Sequence, residues 1–368
     1  MTISILHVSQ PVEAGVAAYV SAAAADQARR GWRVTVAAPS RGTLPDRLAE
    51  QKIPHVAWES ARSPVRSCKD ETVALRRIVD ELEPDIIHLH SAKAGLVGRL
   101  AVRGRRPTLF QPHGWSWLAC RGATARTAIA WERTAARWAA AIVCVGEGEA
   151  EAGAARGVAA RIVVVRNGVD LDHFTPAGIE AQLRARAELG VPEHARLAVC
   201  VGRLTRQKGQ DLLLRAWPRV LRSCPDAQLA LVGDGELKAE LEAGAPPGVR
   251  FAGPSADVRP WYAACDLVVM PSRWEGLPLT ALEAMASARP VVGFDIPGLR
   301  EVIGEETGAL VSAGDLRGLA YALSSRLSSH DGTAWREGQV AALLSKEFDA
   351  RVTMEVLAGV TAGVLGRG

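Results

Sequence analysis

The sequence predicts an α/β protein built from two doubly wound, parallel-sheet domains. Three observations predict it. Short, continuously apolar runs alternate with longer Ala/Leu/Arg segments of helical period. Strands of that kind are buried on both faces, as parallel sheets require. The alternation occurs twice, and 368 residues suit two domains of typical size better than one core.

The strand-like runs of the first half are 3–8, 34–38, 85–89, 108–111, 141–145 and 162–165. The first has no basic segment ahead of it and reads as a strand rather than a secretory signal. Asn167-Gly168-Val169-Asp170 ends the last of them, and a helix-breaking stretch with Pro176, Gly178 and Pro192 follows. The boundary is expected there, giving domains at 1–172 and 173–345. The runs of the second half are 197–201, 228–232, 249–252, 267–270, 291–294 and 309–311.

Composition narrows the function. Apolar residues at 48% and charged residues at 23% exclude disorder as the dominant state. No apolar run approaches the roughly 20 residues of a membrane-spanning helix. Cysteines at 68, 120, 144, 200, 224 and 265 form no close pairs, which argues against a zinc site or disulfide framework and fits a reducing compartment. Residues 1–175 carry 23 Lys+Arg against 17 Asp+Glu, and the remainder 21 against 23. Within 91–140 lie Lys93, Arg99, Arg103, Arg105, Arg106, Arg121, Arg126, Arg133 and Arg137, with Glu132 the one acid. Such a field favours an anionic partner, although basic runs are commonly no more than solvated faces.

Ligands of open parallel sheets bind beyond the carboxyl ends of the strands. Glu275 to Glu283 follows the run 267–270 in a strand–turn–helix context. Glu275 is expected in the loop and Glu283 about two helical turns away, so that the two acids accept hydroxyl hydrogen bonds from different parts of one long ligand. The helix is expected to start near Gly276 and Leu277, with Pro278 in its first turn and free amides to hold a phosphate. Two acids there would alone be explained by the helix dipole. After the run 197–201, Gly202 permits a tight turn, and Arg203 and Lys208 supply cations for a diphosphate, with Gly209 at a helix start. Gly233-Asp234-Gly235 is a sharp turn after the next run.

In the first half, Gly15 opens a helix and would let an amide approach a phosphate or sugar. His113 closes a strand, where it could bond a substrate hydroxyl or move a proton. Trp115 and Trp117 either stack on an acceptor or pack. His88 and His90 are expected as packing or loop residues that do not share a face; no other ligand is evident near them, and no metal is invoked. No Gly-x-Gly-x-x-Gly is present, which counts against a nicotinamide dehydrogenase.

Together these motifs resemble the family 4 retaining glycosyltransferases of the GT-B fold, in which two Rossmann-like domains face each other across a cleft. Glu275 to Glu283 matches the Glu-x7-Glu element, and Arg203 to Gly209 the Arg-Leu-x-x-x-Lys-Gly element. Gly15, His113-Gly114 and Asn167-Gly168-Val169-Asp170 match the first-domain and hinge signatures. The resemblance implies a donor-sugar contact at Glu275, a ribose contact at Glu283, diphosphate contacts at Arg203 and Lys208, and a transferred-sugar contact at His113. It implies an acceptor-binding first domain, onto which a helix at about 346–368 returns, and a nucleotide-sugar-binding second domain. Gly233, Gly276 and Leu277 join the donor site. No cofactor and no metal are expected. The expected partners are a nucleotide-diphosphate sugar, UDP-linked before GDP-linked, and a hydroxyl acceptor that is lipid-linked or a small natural product. No nucleic-acid partner is expected. Three departures stand out: Ala14-Gly15 for Gly-Gly, Gly146-Glu147 for Ser-Glu, and Arg166 for the Pro before Asn-Gly. The likeness points towards bacterial envelope or exopolysaccharide members and a cytoplasmic location, with peripheral contact at the inner face of the membrane. A sugar-nucleotide epimerase and a non-catalytic nucleotide-sugar-binding subunit remain the alternatives.

Overall fold

The computed structural model describes residues 2–61, 67–304, 307–328, 344 and 346–366. The chain divides into two compact units, one of residues 1–166 with 353–368 and one of residues 167–352. The sequence puts the first limit at 172. The six-residue difference has a physical cause. Val169 forms a bridge with Asp349, and the Asn167 amide donates to the Leu277 carbonyl at 2.6 Å, so the hinge segment coheres with the second unit.

The first unit holds a seven-stranded sheet in the order β3-β2-β1-β4-β5-β6-β7. Its strands are β1 (Ser4–Ser9), β2 (Arg33–Ala38), β3 (His55–Ala57), β4 (Ile86–His90), β5 (Thr108–Gln111), β6 (Ala141–Cys144) and β7 (Ile162–Val164). The second holds a six-stranded sheet in the order β10-β9-β8-β11-β12-β13. These are β8 (Arg196–Val201), β9 (Ala227–Val232), β10 (Val249–Gly253), β11 (Leu267–Met270), β12 (Val291–Phe294) and β13 (Gly308–Val311). Every pairing in both sheets is parallel. The chain reverses its direction of growth between β1 and β4 and again between β8 and β11, and such switch points open crevices at the strands' carboxyl ends.

Period-2 alternation gives the first sheet two apolar faces. Ile3, Ile5, Ile86, Leu109 and Val143 pack beneath the helix Ala14–Arg29, with Met354 and Leu357 of the helix Ala350–Val364. Leu6, Val8, Ile87, Leu89 and Phe110 fill the other face with residues of the helices Cys68–Leu82 and Ser91–Val102. The helix Ala14–Arg29 opens with Ala14 at φ +57°, a left-handed conformation that a Cβ makes costly. All six cysteines are free; four are buried and Cys68 and Cys120 are half-buried.

The basic stretch is not one solvated face. Lys93 is buried in an ion pair with Glu71. Arg99 lies 2.7 Å from Glu132, both side chains essentially inaccessible, and its guanidinium sits 3.8 Å from the centre of the Phe110 ring. Arg105 and Arg106 pair at the surface with Asp80 and Glu83. Arg121, Arg126, Arg133 and Arg137 remain exposed on or beside the helix Gly122–Ala135. Removing the acid of the internal pair strands a buried charge, which commonly costs roughly 4 kcal/mol. Glu132→Ala is therefore expected to lower stability by about that amount in urea denaturation, and a loss under about 1 kcal/mol would contradict the internal pairing.

Candidate functional site

The second unit assembles its site at the β8/β11 switch point. Gly202 leaves β8 at φ +147° and Gly233 leaves β9 at φ +145°. A β-carbon on Gly233 would collide with the Gly202 carbonyl, and one on Gly235 with the Leu204 carbonyl. The two turns therefore lie backbone against backbone, joined by the Leu204 amide to the Asp234 carbonyl at 2.9 Å. Arg203 is half-buried on the first turn. Its carbonyl accepts from Gln210 at 3.0 Å, which ties it to the helix Gln210–Ser223. Gly209 caps that helix at φ +70°, where a β-carbon would strike the Pro271 carbonyl.

Lys208 Nζ reaches across the switch point to Glu275 Oε1 at 2.7 Å. Ser272 Oγ donates to the same oxygen at 2.7 Å, and Gln207 Nε2 approaches Oε2 at 3.4 Å. The two charged side chains are 17% and 7% exposed. Arg273 clamps Asp211 with contacts of 2.8 and 2.6 Å, holding the loop after β11 to the helix after β8. Glu283 accepts from the Tyr262 hydroxyl at 2.8 Å. Burial raises the Glu283 pKa, against the Tyr262 hydrogen bond and the Lys208 charge, which lower it. Burial and the Glu283 charge in turn hold the Tyr262 hydroxyl well above its usual range. Lys208 thus pairs with one acid and acts electrostatically on the other.

The helix after β11 begins later than the sequence suggests. The helix starts at Leu279, with Pro278 as its cap at φ −77° and ψ 122°. Gly276 and Leu277 therefore lie in the preceding loop, and the Leu277 carbonyl is taken by Asn167. The Ala281 amide already bonds the Pro278 carbonyl at 3.1 Å, so the helix-start donors are those of Leu279 and Thr280.

In the first unit, Gly15 is the exposed second residue of the helix Ala14–Arg29. His113 follows β5 at φ +51°, with Gly114 at φ +98°. Glu149 braces this loop, accepting from the Gly114 and Val145 amides. Trp115 and Trp117 are 2% and 4% exposed and stack on one another at 4.5 Å. They pack, and neither offers a ring to an acceptor. Two of the family departures meet: Arg166 lies 3.3 Å from Glu147.

His88 and His90 do share a face, as residues two apart on a strand must; their ring centres are 4.1 Å apart. The neighbour that the sequence reading misses is His7, the register partner of His88. His7 Nδ1 and His90 Nε2 are 2.9 Å apart, and His90 Nδ1 and His113 Nε2 are 3.1 Å apart. His7, His88 and His90 bring ring nitrogens within 4.8 Å of one another. Both nitrogens of His7 and of His90 are engaged by hydrogen bonds, and within this trio His88 alone has ring nitrogens without a hydrogen-bond partner. A signal for this cluster exists in the sequence: a second polar strand end, at His7, opposite the His-x-His of β4. Gln207, Ser272 and Tyr262 also escape the sequence reading, although Gln207 lies within the Arg203–Gly209 element and Ser272 in the turn just before Glu275.

Two parallel α/β units, each with its polar groups at a switch point, define the GT-B class of transferase folds. The fold likeness is direct: HepE of Anabaena, in its complex with UDP and glucose, superposes with a TM-score of 0.84 at 23% identity over 98% of this chain and 99% of that one. Two family profiles match, Glycosyltransferase Family 4 over residues 14–173 and Glycosyl transferases group 1 over residues 195–329. The chain belongs to the family 4 glycosyltransferases. Among relatives, the lipopolysaccharide core biosynthesis mannosyltransferase LpsB of Rhizobium meliloti is 31% identical over 54% of this chain and 59% of its own length. A UDP-Gal:alpha-D-GlcNAc-diphosphoundecaprenol alpha-1,3-galactosyltransferase of Escherichia coli is 28% identical over 68% of each chain. The match thus spans less than two thirds of the first relative and slightly more of the second.

The raised Glu283 pKa has a consequence for stability. A carboxyl whose folded-state pKa lies above its unfolded value costs stability wherever it is ionised, and the cost disappears below the unfolded value, about 4.3. Glu283→Gln keeps an acceptor for Tyr262 and removes the charge. The variant should melt above the wild type at neutral pH and lose that advantage as the pH falls to about 4. An advantage that grows towards acid would refute the buried-charge assignment.

Proposed function

We propose that this chain transfers a sugar from a nucleotide-diphosphate sugar to a hydroxyl acceptor, with retention of configuration. The observation that carries the reading is the Lys208–Glu275 contact at the β8/β11 switch point, beside glycine turns and Arg203. That arrangement suits a diphosphate joined to a polyol. Arg203 and Lys208 compensate the charge growing on the leaving diphosphate. Glu275 accepts from sugar hydroxyls and Glu283 from the ribose. Binding of the diphosphate draws Lys208 from its carboxylate partner and frees Glu275 Oε1 for the sugar. Gly233 and Gly276 let the ligand approach the backbone, and Leu277 follows Gly276 in the same loop. On the first unit, His113 meets the transferred sugar and the loop at Gly15 serves the donor phosphate or the acceptor.

In this reading the donor is a UDP-sugar, with GDP-mannose as the next candidate. The two relatives act in lipopolysaccharide and lipid-linked glycan synthesis, which supports an envelope glycan or glycolipid acceptor here. The leaving group is stabilised by side-chain cations without a bound metal, and a donor phosphate oxygen takes the acceptor proton on the same face. The exposed Arg121, Arg126, Arg133 and Arg137 suit an anionic lipid surface.

Two experiments test this reading. Lys208→Ala should lower kcat/KM by about a hundredfold or more, in line with the ~2–4 kcal/mol of a lost charge-stabilising group. The same variant should lose the thermal shift that UDP gives the wild type; unchanged kinetics and shift would remove the donor-site assignment. Chelation should leave transfer intact, and complete loss rescued by Mg²⁺ would overturn the metal-free reading.

A further inference from the structure

The face of the first sheet beneath the helix Ala14–Arg29 changes character along its strands. Ile3 and Ile5 give way to His7 on β1, Ile86 to His88 and His90 on β4, and Leu109 to Gln111 on β5. All four polar residues are fully buried. From the helix above, Gln27 enters the same layer at 1% exposure. Gln27, His7, His90 and His113 then form one unbranched chain, with Gln27 Oε1 to His7 Nε2 at 2.7 Å, His7 Nδ1 to His90 Nε2 at 2.9 Å and His90 Nδ1 to His113 Nε2 at 3.1 Å.

Both imidazole–imidazole links are edge to edge. The ring planes differ by 18° and 28°, and the ring centres stand 5.2 and 5.4 Å apart. Each exceeds its nitrogen–nitrogen distance by about two ring radii, so the rings meet nearly in plane and each N–H lies along the facing lone pair. Burial brings the His7 pKa down to about 4 and that of His113 to about 3, and holds His90 well below its usual value. The three rings are neutral at neutral pH, each with one N–H and one lone pair.

Three links and three N–H groups leave no freedom once one end is set. An amide oxygen only accepts, so His7 donates from Nε2 and accepts at Nδ1. His90 must then donate from Nε2 and accept at Nδ1, and His113 must donate from Nε2. Reversing one proton alone sets two N–H groups or two lone pairs against each other inside the protein, a mismatch of the kind that is expensive when buried. The order propagates from Gln27 to the loop after β5.

We propose that Gln27 is a positioning residue, acting through His7 and His90 to hold His113 as the Nε2–H tautomer, so that Nδ1 presents a lone pair and selects a hydrogen-bond donor, a hydroxyl, in the ligand. Nδ1 of His113 makes no hydrogen bond to another described residue. Tyr19 fixes the ring plane by an edge contact at 5.0 Å and 72°. The tautomer belongs to the free protein; only the identity of the ligand hydroxyl as a sugar's rests on the glycosyl-transfer reading.

Long-range proton–nitrogen correlation spectra of the full chain, labelled with nitrogen-15 in histidine, read the tautomers directly. At neutral pH, His7, His90 and His113 should each be protonated at Nε2 and bare at Nδ1. An Nδ1–H on any of the three overturns the proposal, and that measurement needs no variant. Gln27→Met keeps the length of the side chain and deletes the amide. It should bring an Nδ1–H population to His113, three hydrogen bonds away; a folded variant with an unchanged His113 spectrum overturns the role of Gln27. In transfer assays with a UDP-sugar the variant should lose roughly three- to tenfold in kcat/KM, the worth of one neutral hydrogen bond, while UDP affinity stays at the wild-type value. Equal transfer rates overturn the selection of a hydroxyl. Failure of the wild type to bind UDP counts against the proposed function, whereas the tautomers read from the spectra still decide the role of Gln27.

Discussion

A parallel sheet delivers every strand to the same edge, and that constraint governs where chemistry can occur in this protein. Strand interiors are apolar on both faces because helices cover them. Polar groups therefore collect where the strands end. At each reversal of strand order the covering helices diverge and leave those ends open. Lys208 and Glu275 meet at one reversal and His7 and His90 at the other. The two units use one geometric rule for different chemistry, a charged pair in one and a neutral imidazole array in the other.

The charged pair explains why the loops around it are so constrained. An ammonium and a carboxylate that are mostly withdrawn from water are tolerable only with further hydrogen bonds. Ser272 and Gln207 supply them to Glu275. Gly209 lets the Lys208 segment pass against the Pro271 carbonyl, where a β-carbon cannot fit. Arg273 and Asp211 then lock the loop after β11 to the helix after β8. The positions that sequence motifs single out as glycine, lysine and glutamate are thus one mechanical unit.

Much of this is legible in the sequence, for identifiable reasons. Strands such as 108–111, 267–270 and 291–294 match their observed limits because they are short, apolar and bounded by breakers. β3 escapes the pattern because it is three residues long, begins at His55 and is only partly buried. The helix after Gly276 is expected too early because proline at a first helical turn and proline as a cap look alike in a string of letters; the extended ψ of Pro278 separates them. The basic stretch reads as more exposed than it is because net charge along a sequence is blind to the third dimension. Glu71 lies some twenty positions before Lys93, and only the packing of the helices Cys68–Leu82 and Ser91–Val102 joins them. Setting His88 and His90 on different faces misapplies the strand period, and the distance in sequence between His7 and His90 hides the third ring.

The free cysteines bear on how this protein can be observed. Cys200, Cys224 and Cys265 of the second unit are buried, and burial lifts the Cys200 and Cys265 thiols to about 12. A thiolate is the reacting species in alkylation, so these sulfurs are poor targets for maleimides. Replacing Cys68 and Cys120 would leave a background nearly silent to such reagents, on which a fluorophore or spin label at one introduced cysteine reports from a single chosen place.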